Sequence, residues 1–427
     1  MKSTATVVLP HRSSFAVYTI NKDYLIINPS INFWFKLSKE QLLAFSLLDG
    51  KSNLNELLRK VAEGIPLSLQ ETCKMFLRTL ASNFPVVPLD RPKPTKLSLL
   101  YFVLTNNCNS SCVYCFRNSG NSHIAMIDKE LAEQAIMSFK KISSANAAIV
   151  YTGGEPTCHP NLIEIADCAR EEGFRNTLQT NGLLISRNVD LYARVFDTIQ
   201  ISLDSTNEET NDWLRGKRGH LKVVSETIKL LKQYSVTVRL SATITKKNLK
   251  DIARIRDAFP GIQFQYTPML RIGRAKSTAT LSLSPTEFLK HLSETPERVN
   301  ECVINVPNFG EKNIGCGAGS TILSVSPEGD VFPCQMLHHE ALRCGNLRER
   351  SLEEIYNSSN ELWKFRQYSV DTIKNCRKCT IRYICGGGCI ANGFWVRNRI
   401  FDRDCFCEYN KNLVFHNLNN QFKEVAL

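Results

Sequence analysis

Residues 105–115 read TNNCNSSCVYC, placing Cys108, Cys112 and Cys115 in a CxxxCxxC spacing just after the strand-like stretch Leu99–Leu104. Three thiolates so spaced suit three irons of a cubane cluster and leave the fourth iron open. A structural zinc site wants four closed ligands, and this loop offers no fourth. Downstream, strand patterns at Ala147–Tyr151, Thr177–Gln179, Thr198–Leu203, Val236–Ala242 and Phe264–Thr267 alternate with helical patterns. The helical stretches are Asp128–Ile142, Asn161–Glu172, Val189–Phe196, Leu221–Tyr234 and Asn248–Phe259. Six strands with five intervening helices predict a parallel sheet with right-handed crossovers, either open or a partial barrel. Four further strands run into YTGGEP (151–156), QTNG (179–182), ISLDS (201–205) and RLSATIT (239–245). In such sheets ligands bind at the C-terminal edge, so five strands deliver candidate ligand groups to one place. Gly153 and Gly154 let backbone approach a ligand closely, and Glu155 can accept hydrogen bonds from an ammonium group.

The chain around this stretch has 427 residues, enough for two to four domains. Its hydrophobic share of 43% and charged share of 22% are those of a globular protein. No apolar run approaches the roughly 20 residues of a membrane-spanning helix. The N-terminus MKSTATVVLPHRSSF does not read as a signal peptide, so a cytoplasmic protein without a membrane partner is expected. The net charge of +12 favours an acidic partner, but no Lys/Arg block or basic stripe appears, which argues against nucleic acid. In a reducing compartment 16 cysteines point to metal ligation or redox chemistry rather than disulfides.

CxxxCxYC followed by GGEP, QTNG and ISLD resembles the radical S-adenosylmethionine (SAM) superfamily over about residues 99–270. The resemblance implies an α/β fold, a partial (β/α)6 barrel over residues 97–290. It also implies that Cys108, Cys112 and Cys115 ligate a 4Fe–4S cluster whose open iron chelates the amino and carboxylate groups of SAM. Tyr114 occupies the aromatic position that contacts adenine in the family. Glu155, with Gly153 and Gly154, matches the motif that binds the methionyl ammonium. Ser202 and Asp204 lie where polar residues reach the ribose or methionyl groups, and Arg215, in DWLRG, is a candidate partner for the methionyl carboxylate.

A second set of cysteines follows. Cys316 precedes Gly329 by twelve intervening residues and Cys334 follows after four more; then come Cys376, Cys379, Cys385 and Cys389, with Cys405 and Cys407 closing the series. This arrangement looks like a SPASM domain, here residues 300–410, which houses two auxiliary 4Fe–4S clusters. The resemblance assigns Cys316, Cys334 and Cys389 to the first cluster, with Cys302, Cys344 or no fourth ligand. Cys376, Cys379 and Cys385 go to the second, with Cys405 slightly favoured over Cys407. Three clusters in all are expected. Cys73, Cys158 and Cys168 fit neither series and read as small buried residues. Residues 411–427 read as a C-terminal tail.

Residues 1–90 read as a small separate unit. Phe15–Ile20 and Tyr24–Asn28 are strand-like, and Ser38–Leu48, Leu54–Val61 and Glu71–Ala81 have helical spacing. YLIINPSINFWFKLS and LLDGKSNLNELL resemble the PqqD-like, winged-helix-like α+β element that recognises leader peptides in ribosomal-peptide maturases. Val86–Lys96, with three prolines, reads as a stiff linker. The implied function is a radical SAM peptide maturase that binds a precursor peptide by its leader and installs a thioether or carbon–carbon cross-link. A low-potential donor such as flavodoxin or ferredoxin would supply electrons, and the auxiliary clusters would take up the leftover electron. The rivals are a sulfatase-maturase-like, formylglycine-forming protein modifier and a non-catalytic iron–sulfur electron carrier.

Overall fold

The computed structural model describes residues 8–20, 22–30, 33–82, 96–120, 124–294, 312–313 and 315–425. Cys302 and most of the 86–96 linker therefore lie outside the described residues. At the N-terminus, β1 (Ala16–Ile20), β2 (Asp23–Asn28) and β3 (Phe33–Leu37) form an antiparallel sheet in the order β1-β2-β3. Helices α1 (Gln41–Ser46), α2 (Leu54–Gly64) and α3 (Leu67–Ser82) follow. A reciprocal cap starts α2: Asn53 Oδ1 accepts from Glu56 N at 3.1 Å, and Glu56 Oε2 accepts from Asn53 N at 2.8 Å.

Strand period decides what this sheet touches. Ile26 and its partner Phe35 face the helices, packing with Leu37, Phe45, Leu57 and Leu77. Leu25, Ile27 and Trp34 face the other way, into a cluster with Ile381, Ile384, Val414 and Leu418 from the C-terminal third of the chain. The N-terminal unit is thereby packed on the thiol-rich region rather than tethered loosely to it.

The six expected strands are present and parallel: β4 (Leu97–Thr105), β5 (Ser143–Gly153), β6 (Arg175–Thr180), β7 (Thr198–Ser202), β8 (Thr237–Ile244) and β9 (Gln263–Pro268). Between and after them come α4 (Lys129–Ile142), α5 (Leu162–Glu171), α6 (Val189–Val195), α7 (Glu208–Arg215), α8 (His220–Leu231), α9 (Ile252–Ala258) and α10 (Pro285–Glu294). Alternate residues such as Leu100, Phe102, Ile149, Tyr151, Leu178, Ile199, Ile201 and Leu240 pack against these helices as the main core. The opposite face carries Gln179, Gln200, Ser202, Ser241 and Gln265, half-buried or exposed, with Gln265 Nε2 donating to Gln200 Oε1 at 2.9 Å. One face of the sheet is thus core and the other is polar.

Four features depart from expectation. Helix α7 was read only as the DWLRG segment, because eight residues with a strongly polar face show little apolar periodicity. The sheet also does not stop at β4. The strands β10 (Ile322–Val325), β11 (Asp330–Phe332) and β12 (Gly345–Asn346) extend it, β10 parallel to β4 and the others antiparallel, giving nine strands in the order β12-β11-β10-β4-β5-β6-β7-β8-β9. Strands of two to four residues are too short to show a period. Beyond them lie α11 (Leu352–Ser358) and α12 (Asn360–Gln367), separated at Ser359, whose extended backbone ends one helix and whose hydroxyl caps the next. The stretch from 352 to 367 is therefore two helices rather than one. Then come α13 (Arg382–Cys385), α14 (Ile390–Arg397) and α15 (Cys407–Val425). Helix α15 occupies the segment read as a tail, and packs Tyr409 and Leu413 on the barrel core and Val414 and Leu418 on the N-terminal sheet. No described helix is long and apolar enough to cross a membrane.

The shared cluster makes a prediction. Ile27→Asp would bury an unpaired carboxylate there, at a cost of several kcal/mol. Hydrogen exchange should accelerate in α15 and residues 376–385, while protection of β4–β9 stays as in the parent.

Candidate functional site

The loop bearing Cys108, Cys112 and Cys115 leaves β4 and is pinned by neighbours on several sides. Gly154 N donates to Thr105 O at 2.7 Å and Glu155 N to Asn107 O at 2.8 Å. Arg274 Nε donates to Cys112 O at 2.9 Å, and Thr278 Oγ1 to Val113 O at 2.9 Å. A Cβ on Gly153 would overlap Thr105 O, and one on Gly154 would overlap the carbonyls of Asn106 and Asn107. The two glycines were expected to let backbone approach a ligand; what they admit here is the backbone of the cysteine loop itself. Gly153 also has a positive φ of 155°.

Glu155 is 1% exposed and accepts from four donors. Thr157 N (3.1 Å), Thr157 Oγ1 (2.6 Å) and Thr180 Oγ1 (2.7 Å) reach Oε1, and Asn181 N (2.7 Å) reaches Oε2. Burial pushes the carboxyl pKa up, while these donors pull it down. Oε2 has a single protein donor and keeps acceptor capacity. Asn181 spans the site: its Nδ2 donates to Asn109 Oδ1 at 2.6 Å, and its carbonyl accepts from His220 Nε2 at 3.0 Å. His220 Nδ1 then accepts from Asn211 Nδ2 at 3.0 Å, a neutral tautomer inferred from the network. Burial and the charge of Arg215 hold its pKa down at about 3.

Asp204, Tyr114 and Arg215 meet in a buried triad. Tyr114 Oη donates to Asp204 Oδ2, Arg215 Nη1 donates to Tyr114 Oη at 2.7 Å, and Arg215 pairs with Asp204 at 3.7 Å. Thr243 N from β8 donates to Asp204 Oδ1 at 2.9 Å. Arg215 Nε is buried without a partner, and the guanidinium lies within electrostatic reach of Cys112. Ser202 is half-buried at the end of β7, on the side opposite the core-facing Ile199 and Ile201.

The three loop thiols interact electrostatically, and burial pushes that of Cys108 up to about 12. A thiol raised in this way is neutral until a metal displaces its proton. Among the described residues no three His, Cys, Asp or Glu side chains close on a single metal ion; thiols that bind separate irons of a cubane need not converge so tightly. Three mutually interacting thiols, a buried carboxylate with spare acceptor capacity and a buried guanidinium with an orphaned N–H fit a cluster and the two ends of an amino acid.

The later cysteines fall into two groups. Cys316, Cys334 and Cys389 interact with one another. Cys376, Cys379, Cys385 and Cys407 form the other set and line a cavity of about 420 Å³ with Tyr18, Lys378, Arg403, Lys411 and Phe415. Cys405 stands apart, beside Asp404 and Arg397 and against the barrel core. Cys344 is buried in that core, with Sγ donating to Leu342 O at 3.4 Å, and is not brought to the first set. Asp404, which the sequence reading passed over, holds both groups in register: it accepts from Cys389 N (2.9 Å), Phe406 N (2.9 Å) and Asn410 Nδ2 (3.1 Å). Tyr368 lies within electrostatic reach of Cys316, Cys376, Cys389 and Cys385, and its buried hydroxyl has no partner. Of the cysteines outside these groups, Cys73 is buried and bonds Glu40 O at 3.5 Å, Cys158 neighbours Glu155, and Cys168 packs on the core.

Fold and site together define an α/β enzyme with three half-buried thiols at the C-terminal mouth of an open six-stranded parallel barrel. The signature of the radical SAM superfamily matches residues 102–259, and that of the SPASM iron–sulfur cluster-binding domain matches residues 316–380. The antilisterial bacteriocin subtilosin biosynthesis protein AlbA of Bacillus subtilis is 27% identical over 330 residues, covering 73% of this chain and 70% of the relative. The AdoMet-dependent heme synthase of Methanosarcina barkeri is 24% identical (73% and 96% covered), and the mycofactocin maturase MftC of Mycobacterium tuberculosis is 26% identical (70% and 79%). Among solved structures, anSMEcpe with bound AdoMet and the Cp18Cys peptide superposes with a TM-score of 0.63 at 20% identity (78% and 99% covered). Streptococcus suis SuiB bound to precursor peptide SuiA does so with 0.58 at 15% (94% and 99%). These likenesses carry the fold. The protein is a radical SAM enzyme with a SPASM iron–sulfur domain, which removes the non-catalytic electron-carrier alternative.

The backbone apposition at the glycines is directly testable. Gly154→Ala forces the β5 turn off the cysteine loop, so the variant should retain its helical circular dichroism. On reconstitution it should lose most of the iron bound through Cys108, Cys112 and Cys115.

Proposed function

We propose that this chain matures a ribosomally made peptide, binding a precursor and introducing a radical-mediated cross-link, thioether or carbon–carbon, into its core. In this reading Cys108, Cys112 and Cys115 hold the SAM-cleaving cluster. Cys316, Cys334 and Cys389 hold a first auxiliary cluster, and Cys376, Cys379, Cys385 and Cys407 a second. When bound and reduced by a flavodoxin- or ferredoxin-type donor, the first of these clusters supplies the electron that splits SAM into methionine and a 5′-deoxyadenosyl radical, which takes a hydrogen atom from the peptide. The protein's own groups orient and bind. Glu155 Oε2 accepts from the methionyl ammonium, Arg215 Nε donates to the methionyl carboxylate, and Tyr114 and Ser202 border the nucleoside. Asp204 holds Tyr114 and Arg215 in place.

The observation that carries the peptide reading is the N-terminal sheet. Its helix side and its other face are both covered, and β1 and β3 are its edges. An extended segment can add to such an edge through backbone hydrogen bonds, with side-chain pockets giving choice. A surplus of basic residues over residues 1–93 suits an acidic leader. The names of AlbA and MftC, a bacteriocin biosynthesis protein and a maturase, support the same substrate class.

The test is to supply the reduced, reconstituted protein with SAM and a candidate precursor. Formation of 5′-deoxyadenosine with loss of two hydrogens from the core supports the reading. Turnover of a tetrapyrrole, or a formylglycine product, would overturn it.

Two site predictions follow from the geometry. Glu155→Gln should weaken SAM binding at least about tenfold, the scale of 1.4 kcal/mol for a charge-assisted hydrogen bond. In the parent enzyme only the ionised carboxylate pairs with the ammonium, and burial raises its pKa. Affinity should therefore be full above that raised value and fall as the pH drops through it, whereas the Gln variant shows no such slope. For the second auxiliary cluster, Cys407→Ser should cost about four irons per chain, while Cys405→Ser leaves the iron content at the parent value.

A further inference from the structure

Tyr368 is a polar group that packs among the cysteines of the proposed auxiliary clusters and has no role in the reading above. Its ring is fixed: it stacks on Phe401 with centroids 5.2 Å apart and planes inclined by 26°, and it packs with Phe365, Val370 and Ile373. The residue is 7% exposed, and its Oη is buried with no hydrogen-bond partner. A buried hydroxyl in that condition costs about 1–3 kcal/mol, so a tyrosine rather than a phenylalanine at this position needs a reason. The hydroxyl lies beside Gly387, between the two thiol groups, and of the four cysteines it senses Cys316 acts on it most strongly. A phenol O–H is a hydrogen-bond donor, and here it has nothing in the protein to donate to.

We propose that Tyr368 is a cofactor-contacting residue whose hydroxyl donates a hydrogen bond to a sulfur of the cluster held by Cys316, Cys334 and Cys389, raising that cluster's reduction potential. The proposal deepens the cluster assignment made above and rests on it. A hydrogen bond to a cluster sulfur offsets its negative charge and favours the added electron, and such bonds are among the determinants of iron–sulfur potentials. No electron or proton is consumed by the contact itself.

Tyr368→Phe is the natural test, because it removes one oxygen and keeps the packed ring. Potentiometric titration of the fully reconstituted variant, followed by electron paramagnetic resonance, should show the first auxiliary cluster harder to reduce. The expected change is roughly tenfold in its reduction equilibrium, about 59 mV for one electron, with the second auxiliary cluster less affected. Iron content should equal the parent's. The cluster-free variant should melt no lower than the cluster-free parent, since without a cluster the hydroxyl satisfies nothing. Unchanged potentials at full iron content overturn the proposal, as does a larger shift at the second cluster or a cluster-free variant that melts several degrees lower. Absence of a cluster from Cys316, Cys334 and Cys389 in the parent overturns the assignment beneath it instead. If the Phe variant loads incompletely, resonance Raman of the parent in heavy water decides: an iron–sulfur mode sensitive to the exchange, and missing from Tyr368→Phe in its loaded fraction, supports the contact, and insensitivity refutes it.

Discussion

A carboxylate with 1% of its surface exposed must find its compensation within the protein, and around Glu155 that requirement organises the mouth of the barrel. Its four donors come from its own turn and from the end of β6. Asn181, one of those donors, also holds Asn109 of the cysteine loop and the imidazole of His220. The turn that carries Glu155 is in backbone contact with the same loop, through the two glycines. Displacing the carboxylate would therefore release β6, the cysteine loop and the start of α8 together. The Asp204 triad forms a second, similar anchor from β7 and β8, and it closes on the loop through Tyr114.

The remainder of the chain attaches to this mouth by continuity rather than by a linker. β10 adds to β4 in parallel, so the strand that delivers the cysteine loop is paired directly with the strand that leads toward Cys334. The N-terminal sheet presses Leu25, Ile27 and Trp34 on α15 and on the segment bearing Cys379 and Cys385, and Tyr18 hydrogen-bonds Thr380 and borders the cavity of the second thiol set. One small sheet therefore uses one face for its own core and the other as a wall of the cavity lined by the second thiol set. Removing it would open that cavity.

What could be read in the sequence, and what could not, follows physical lines. The six parallel strands were legible because their core-facing residues alternate over five or more positions and their ends carry distinctive polar runs. Cys108, Cys112 and Cys115 were legible because metal ligation constrains local spacing. Cys405 and Cys407 were not separable, since residues two apart at a helix start differ only in the direction they face; the structure turns Cys407 to the other thiols and Cys405 to the core. Cys344, open as a fourth ligand from the sequence, directly precedes β12 and is packed into the apolar core instead. Asn181, His220, Asp404 and Tyr368 act through contacts distant in sequence, and no local pattern announces them.

The three thiol groups also stand in different electrostatic settings. Arg117 lies between the first two, within reach of Cys115 and Cys334, with Nη2 donating to Gln335 O at 2.8 Å. Its neighbour His338 is kept neutral by burial and by that guanidinium, and passes the contact to Ser324 of β10 at 2.8 Å. The Cys376–Cys407 set instead faces Lys378, Arg403 and Lys411 around a half-open cavity, where solvent and salt screen charge more strongly. Iron–sulfur clusters in general acquire different electron affinities from surroundings that differ in this way, because local charge, hydrogen bonds and exposure each shift the energy of an added electron. The ordering along the chain has a structural cause: Arg117 is fixed by the barrel loop, Tyr368 by the segment after α12, and the lysines by α15 and the Cys376–Cys379 turn. Each thiol group thus takes its electrostatic character from a different layer of the fold, and the sheet running from β12 to β9 joins the strand that delivers the cysteine loop to the strands that lead to Cys334.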